Sequence, residues 1–359
     1  MGQERARPPS IHDVASRAGV SYQTVSRVLN GAPRIRPDTI ERVQRAIGEL
    51  GYRPNRAARA LVTRRTRTIG VLLTAKTLHG PYSSFLAIVD AAAERGYGVT
   101  TTPIASDDAA AITDAVEQLL AHGIDGIVAI APQDRARDAL HRIDAHVPVI
   151  TLQGGPDEVE DFGLDQREAA RIAVEHLVAL GHRSILHIPG PRGWAESEER
   201  ERGYRRAMAD HGLVAEVTER GDWTVDGGYR VALATLPAGD VSAVFAANDE
   251  MAIGAIAAAR DLGLDVPGGL SVVGVDDVPV ARFVAPALTT VRQDFPLIGR
   301  RALDVLIAEI EGDAVPAIHE RLPPELVVRR STAQVTNPSL PTARVSLGEV
   351  GGPSIRPRM

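Results

Sequence analysis

Residues 11–30, IHDVASRAGVSYQTVSRVLN, read as two short helices joined by a tight turn. Ser10 is placed to cap the first helix, its hydroxyl accepting a backbone N–H that has no partner inside the helix. Val14, Ala15 and Ala18 recur at helical spacing and give that helix one apolar face. Gly19 supplies the permissive backbone of a sharp turn, and Val20 fills the corner. Ser21 caps a second helix, Tyr22 to Leu29, with Val25, Val28 and Leu29 pointing inward. Tyr22, Gln23, Ser26 and Arg27 are left pointing out. Gln23 and Arg27 are four residues apart and share a face. An amide pairs bidentately with adenine and a guanidinium with guanine. Tyr22 and Gln23 stand at the N-terminal end of the helix, the end a helix-turn-helix presents to base edges. Thr24, Ser26 and Asn30 are suited to phosphate oxygens. The same pattern also fits a small helical pair with a merely solvated outer face.

Working outward, the charge distribution favours the nucleic-acid reading. Residues 1–67 carry 14 Arg, no Lys and 5 acids, a net of +9, whereas the rest carries 26 bases and 41 acids, a net of −15. A basic arm suits a polyanion that the acidic body would repel. At 359 residues the chain is long enough for more than one domain. It contains no cysteine, which excludes disulfide and thiolate chemistry. MGQERARPPS lacks the apolar core of a signal peptide, and no apolar run approaches membrane-span length, so the expectation is a cytoplasmic protein without a membrane partner.

After the helix pair, Pro37 and Asp38 open a third helix whose stripe is Ile40, Val43, Ile47 and Leu50, and Gly51 ends it. Together these form an all-α domain over residues 1–54. Residues 55–67 follow as a short hinge: Asn55 can cap, and Ala57, Ala58 and Ala60 favour helix, but the segment is too short to be stable unaided. The plainer alternative is a flexible basic linker. From Thr68 the pattern becomes β-α-β-α. Strands TIGVLLT, GVTTTP, GIVAIAP and PVITL alternate with helices near 83–95, 109–122 and 135–145. A second series follows a crossing at DFGLD, with helices near 167–180, 199–211, 225–235 and 249–262 and strands SILHIP, AVFAA and LSVVGVD. The order breaks at TTVRQDF, and a helix over 296–311 and LPPELVVRRST close a body spanning 68–333. Two parallel-sheet halves imply a cleft, with ligands at the carboxyl ends of the strands. The tail, 334–359, is rich in Pro, Gly and Ser and reads as disordered; its glycines and prolines break any coiled coil.

The strand ends carry Asn248, Asp276 and Asp277, with Arg200 and Trp223 in neighbouring loops. An amide, a carboxylate, a guanidinium and an aromatic face suit a polyol. Each also has a duller reading: Asn248 as a helix cap, Arg200 as an exposed charge, Trp223 as packing. No HExxH, P-loop or GxSxG occurs, and the histidines lack metal-ligand spacing, so no catalytic residue, cofactor or metal site is assigned.

The motifs DVASRAGVSYQTVSRVLN, YRPNRAARAL, VEHLVALGH, GDW, ANDEMAIGA, SVVGVDD and LTTVRQDF occur in order from Ser10 to about Ala333. In this the chain resembles the lactose/galactose-repressor family of bacterial transcription regulators. The resemblance implies a helix-turn-helix head on a two-lobed, periplasmic-binding-protein-like α/β body. It implies a homodimer on a near-palindromic operator and a sugar effector, with a galactoside favoured. It makes Tyr22, Gln23 and Arg27 the base readers and adds Asn55, Ala58 and Leu61 of the hinge to the DNA contacts, Leu61 wedging into the minor groove. The effector contacts it implies are Arg200, Trp223, Asn248, Asp276, Gln293 and Phe295, with Leu78, Pro81 and Ser84 lining the N-terminal half of the cleft. Gln153 departs from the pattern, standing where an acidic sugar contact is expected; Thr74 and Ile130 also depart. A transport receptor for sugar, a corepressor-dependent regulator and a sugar-modifying enzyme remain as alternatives.

Overall fold

The structure, a computed structural model, describes residues 7, 9–29, 32–53, 65–75, 78–102, 104, 106, 108–152, 164–238, 240–314 and 322–335. Asn30, the hinge positions Asn55, Ala58 and Leu61, Gln153 and the tail beyond 335 lie outside the described residues.

Three helices form the head: α1 (Ile11–Ala18), α2 (Tyr22–Leu29) and α3 (Pro37–Leu50). Ser10 and Asp13 make a reciprocal capping box, so two otherwise orphaned N–H groups are satisfied at the start of α1. Gly19 takes φ 64°, a left-handed turn that a β-carbon would strain. Ser21 Oγ accepts from Thr24 N at 3.1 Å and opens α2. Val14, Val25 and Val43 are fully buried where the three helices meet, with Ala15, Ala18 and Ala46 around them. Ala46 was not in the predicted stripe, and Ile40 and Leu50 are only half-buried. The ion pair Arg17–Glu49 (2.6 Å) joins the end of α1 to α3.

The body is two α/β lobes. The N-terminal lobe has β1 (Thr68–Leu73), β2 (Gly98–Thr101), β3 (Gly126–Ile130) and β4 (Val149–Leu152) in the parallel order β2-β1-β3-β4. Its helices are α4 (His79–Glu94), α5 (Ala109–Ala121) and α6 (Asp134–Leu140). The second lobe has α7 (Gln166–Ala179), β5 (Ile185–Ile188), α8 (Ala195–Asp210), β6 (Glu216–Val217), α9 (Val225–Thr235), β7 (Ala243–Ala246), α10 (Asp249–Asp261), β8 (Ser271–Asp276) and β9 (Thr289–Arg292). Helix α11 (Phe295–Glu311) follows, and β10 (Glu325–Val327) completes the second sheet, in the order β10-β9-β8-β7-β5-β6. All pairs run parallel except β9–β10. The central strands β1, β3 and β7 are buried along nearly their whole length, only Thr68 at the start of β1 being half-buried, as sheets covered on both faces require.

Several boundaries differ from the sequence reading. Helix α4 starts at His79 rather than Ser83, because proline is tolerated in a first turn and Gly80 lies under the Phe295 ring. Helix α8 starts at Ala195 rather than Glu199, its polar first turn offering no apolar period to read. Helix α6 stops at Leu140, and the two-residue β6 was not foreseen.

The last helix joins the lobes. Helix α11 leaves β9 of the second lobe, yet Phe295, Ile298, Leu303 and Leu306 pack into the first lobe's core with Ile69, Val71 and Val128. A β-carbon at Gly299 would meet Ser84 O at 2.5 Å, so α4 and α11 approach backbone to side. The segments entering α7 and leaving α11 are also joined, through a bridge between Leu164 and Leu322. The lobes are therefore linked by three crossings, a geometry that permits closure without unfolding either core.

His187 on β5 is fully buried and clusters with Tyr204 and Phe245, each ring centre 4.8 Å away. Its Nδ1 pairs with Phe245 O at 2.9 Å, and Nε2 has no partner among the described residues. Burial pushes its pKa down to about 4, from 6.5. Below pH 6.5 the unfolded chain takes up a proton that the folded one refuses, so stability falls as the pH drops from 6.5 toward 4. The expected loss is about 3 kcal/mol. His176 and His182, also lowered by burial, add to it in the same direction. Urea unfolding across that range measures it, and His187→Phe is expected to flatten the slope.

Candidate functional site

Two surfaces carry functional chemistry. On the head, Tyr22 is half exposed, Gln23 and Arg27 are exposed, and Thr24 and Ser26 are half-buried. The His12 ring lies 5.3 Å from Tyr22 and braces it at the start of α2. Thr24 Oγ1 is 2.9 Å from Ser21 Oγ, so part of its hydrogen-bonding capacity serves the cap. One helix face thus presents a phenol, an amide and a guanidinium, held by a cap and a buried valine beneath. That is the arrangement a major groove can accept.

The second surface is a half-open pocket between the lobes, with ≈ 330 Å³ of empty space counting the solvent at its mouth. Leu78, His79, Gly80 and Pro81 come from the start of α4, Phe295 from the start of α11, and Trp194, Glu196, Arg200, Trp223, Asn248 and Asp276 from the second lobe. Arg200, on the inward face of α8, is 2% exposed. Its Nε donates to Gln166 Oε1 at 2.7 Å and its Nη1 to Ala247 O at 2.5 Å, while Nη2 lies 3.9 Å from Asp276 Oδ1. Gln166 Nε2 donates to Gln293 Oε1 at 3.0 Å, and Gln293 Nε2 donates to Asp276 Oδ1 at 2.7 Å. Four polar side chains from α7, α8, β8 and the loop after β9 are thereby joined by a buried chain of three hydrogen bonds, which the longer Arg200–Asp276 ion pair closes into a ring. Gln293, expected as a direct effector contact, instead stands behind Asp276 and orients it.

Trp223 takes φ 68° and packs its indole over Gly190, where a β-carbon would lie 2.3 Å from the ring. The Arg200 guanidinium sits 5.6 Å over the same indole. Trp223 Nε1 is buried without a partner among the described residues. Asn248 caps a helix and also lines the pocket. Its Oδ1 caps α10 by accepting from Met251 N at 2.9 Å, and Nδ2 donates to Trp223 O at 3.0 Å while the residue lines the pocket. Ser84 is buried against Phe295 O, at 3.4 Å, and is not among the lining residues. Thr74 bonds to Ile130 O at 3.3 Å, and Ile130 is fully buried rather than facing the cleft.

Burial raises the pKa of Asp276 well above the ordinary carboxylate range, with Arg200 opposing and Glu250, Asp249 and Glu196 reinforcing. Burial also raises Glu196 and Glu250, and carries Asp249 up to about 8. Asp276 has φ 113° and Asp277 φ 57°, an uncommon backbone for non-glycine residues. Asp249 holds that turn by accepting from Val278 N at 2.8 Å and from Thr290 Oγ1. Asp277 anchors its other side through Arg292 (2.8 Å) and Arg329 (2.5 Å). Asp276 and Asp277 point to different partners and cannot flank one bond, so the pair does not form a glycosidase dyad. The pocket instead offers fixed donors, acidic acceptors and aromatic walls, which suit a hydroxylated ring. Sequence reading missed Trp194, Glu196 and Gln166, whose proximity to Arg200 and Trp223 is tertiary.

Among the described residues no helix is long and apolar enough to cross a membrane, and no cluster of side chains could hold a metal ion.

Comparison with known proteins connects the two surfaces. Residues 10–55 match the model of bacterial regulatory proteins, lacI family, and residues 174–332 that of a periplasmic binding protein-like domain. The chain is 34% identical to the lactose operon repressor of Escherichia coli K12 over 329 residues, covering 91% of each chain. It is 38% identical to the transcriptional regulator MalR of Streptomyces coelicolor, over 90% of this chain and 96% of that one. A crystal structure of the lac repressor dimer bound to operator and the anti-inducer ONPF superposes with a TM-score of 0.81, covering 91% of this chain and 100% of that one. A head built to read DNA, a two-lobed body and near-full-length identity to regulators rather than enzymes lead to one conclusion: this chain belongs to the lacI family of bacterial DNA-binding transcription regulators.

Proposed function

We propose that the protein represses a sugar-utilisation operon, binding a near-palindromic operator as a homodimer, and that a sugar entering the cleft releases it. The observation that carries this reading is the position of the pocket. Its walls come from both lobes and from the helix that joins them, so any ligand that fills it has different affinity for open and closed arrangements. Sugar closes the lobes, shifts the N-terminal halves of the dimer, and separates the two hinges at 55–67. Release follows without sugar touching DNA, and operator DNA must weaken sugar binding by the same factor.

The assigned parts are a head at 1–54, the hinge, a sensing body at 68–333 and a tail at 334–359. The DNA contacts are Tyr22, Gln23, Thr24, Ser26, Asn30 and Arg27, with Asn55, Ala58 and Leu61 in the hinge. The effector contacts are Arg200, Trp223, Asn248, Asp276, Phe295, Leu78, Pro81 and Gln153, with Gln293 behind Asp276. A galactoside leads among sugars because the relative whose pattern the cleft follows is named for the lactose operon. Dimerisation is supported by exposed apolar side chains on the body: Phe283, 74% exposed, Val280, Tyr82 and Leu86.

The test is a fluorescence-anisotropy titration of a lac-like operator at fixed salt, repeated with galactosides, cellobiose and maltose. Release by one sugar and not by others supports the reading. Tightening by a sugar makes the protein a corepressor-dependent regulator. Failure to bind any duplex at modest ionic strength removes the whole proposal.

A further inference from the structure

The segment between β5 and α8 touches both lobes at once. Trp194 pairs as an isolated antiparallel bridge with Gln133, which follows β3 of the other lobe. Asp134 N donates to Gly193 O at 3.0 Å. Gly193 takes φ 71°, turning the chain so that its carbonyl faces the neighbouring lobe. Gln133 is itself held by Thr74, at the end of β1. The side chains of the same segment enter the pocket. Trp194 meets Trp223 edge to face, ring centres 5.7 Å apart, and Glu196 lines the cavity. Burial and the charges of Arg200 and, from the opposite lobe, Arg137 act on the Glu196 carboxylate, and no hydrogen bond is among the influences on it. An acceptor left open in a pocket whose other carboxylate, Asp276, is already bonded is the group a ligand hydroxyl would meet.

We propose that residues 193–196 are a latch that reads the effector: Trp194 and Glu196 contact the bound ligand while the backbone of Gly193 and Trp194 holds the N-terminal lobe. This rests on the sugar-sensing reading of the pocket and adds to it the residues that convert occupancy into lobe position. The bond from Asp134 N to Gly193 O spans the lobes, so any motion that parts them at this point must break it. A ligand packed on Trp194 and bonded to Glu196 fixes the segment in the position from which it grips Gln133 and Asp134. Closure and binding are then one event.

The geometry provides a clean substitution. Asp134 is the first residue of α6, where proline is tolerated, and Gln133 (φ −81°, ψ 134°) already has the backbone favoured before proline. Asp134→Pro removes the cross-lobe N–H without breaking the helix. Asp134→Ala is its control, since it removes the side-chain pair with Arg137 but keeps the N–H. With methyl β-D-galactoside, cellobiose and maltose as probes, Asp134→Pro is expected to raise the sugar concentration for half-release of operator roughly fivefold over the alanine control, the worth of one hydrogen bond. Glu196→Gln is expected to weaken sugar binding roughly tenfold. Independently of any sugar, hydrogen exchange over residues 193–198 should be faster in the proline variant than in the control. If exchange and release are the same in both Asp134 variants, the latch is overturned. If Glu196→Gln binds sugar as the parent does, its contact role is overturned. If no sugar binds any variant, the sugar reading fails, and exchange alone decides the latch.

Discussion

Arg200→Lys is expected to give a protein that folds and holds operator DNA but no longer releases it when sugar is added. Lysine keeps the charge but not the fork: a single ammonium cannot serve Gln166 Oε1, Ala247 O and the Asp276 side together. Asp276 then loses the partner that opposes its burial, and the Gln166–Gln293–Asp276 ring loses its anchor. Truncating one member of a buried charge pair held by hydrogen-bonded neighbours costs about 2–5 kcal/mol, which corresponds to an effector affinity lower by at least about 30-fold. The harsher Arg200→Ala leaves the Gln166 amide oxygen and the Ala247 carbonyl buried without their donor and removes the cation beside Asp276, and is expected to cost about 3–5 kcal/mol of fold stability as well. Operator titration with and without sugar, beside a thermal melt, separates these effects. A lysine variant that releases operator at the parent's sugar concentration would remove Arg200 from the effector site.

The head was legible in the sequence because its determinants are local. Ser10, Gly19, Ser21, Pro37 and Gly51 each mark a helix end by their own chemistry, and the structure places an end at each. The buried strands were legible as apolar runs for the same reason. The pocket was legible in part: Arg200, Trp223, Asn248 and Asp276 stand at strand ends and helix starts where a doubly wound sheet gathers its ligand groups. What could not be read was depth. Gln166 looks like an ordinary first-turn residue, yet it lies under the pocket floor and couples Arg200 to Gln293. Trp194 and Glu196 sit in a polar stretch with no period, and only the packing of α8 beside Gly190 and Trp223 brings them inward. Gln293 has the opposite history. The resemblance assigned it to the ligand, and the fold uses its amide to hold Asp276 toward the cavity.

On the DNA side, Arg27→Ala is expected to have the largest effect of any single change on the head. The side chain is exposed on α2, one helical turn beyond Gln23. A bidentate contact to guanine is worth about 1–3 kcal/mol of discrimination. A symmetric dimer makes the contact once in each half-site, so one substitution removes it twice and costs about 2–6 kcal/mol on the full operator. Because that loss concerns a base, it should relax sequence preference at one position of each half-site, while the dependence of affinity on salt changes little. Ser10→Ala provides the contrast. It breaks the capping box of α1, costs about 1 kcal/mol of stability, and leaves preference among operators unaltered. Competition titrations over a set of single-base operator variants, each at two salt concentrations, distinguish the two. If Arg27→Ala instead weakens all duplexes equally and flattens the salt dependence, then Arg27 grips phosphate, and recognition by α2 rests on Tyr22 and Gln23 at the start of the helix.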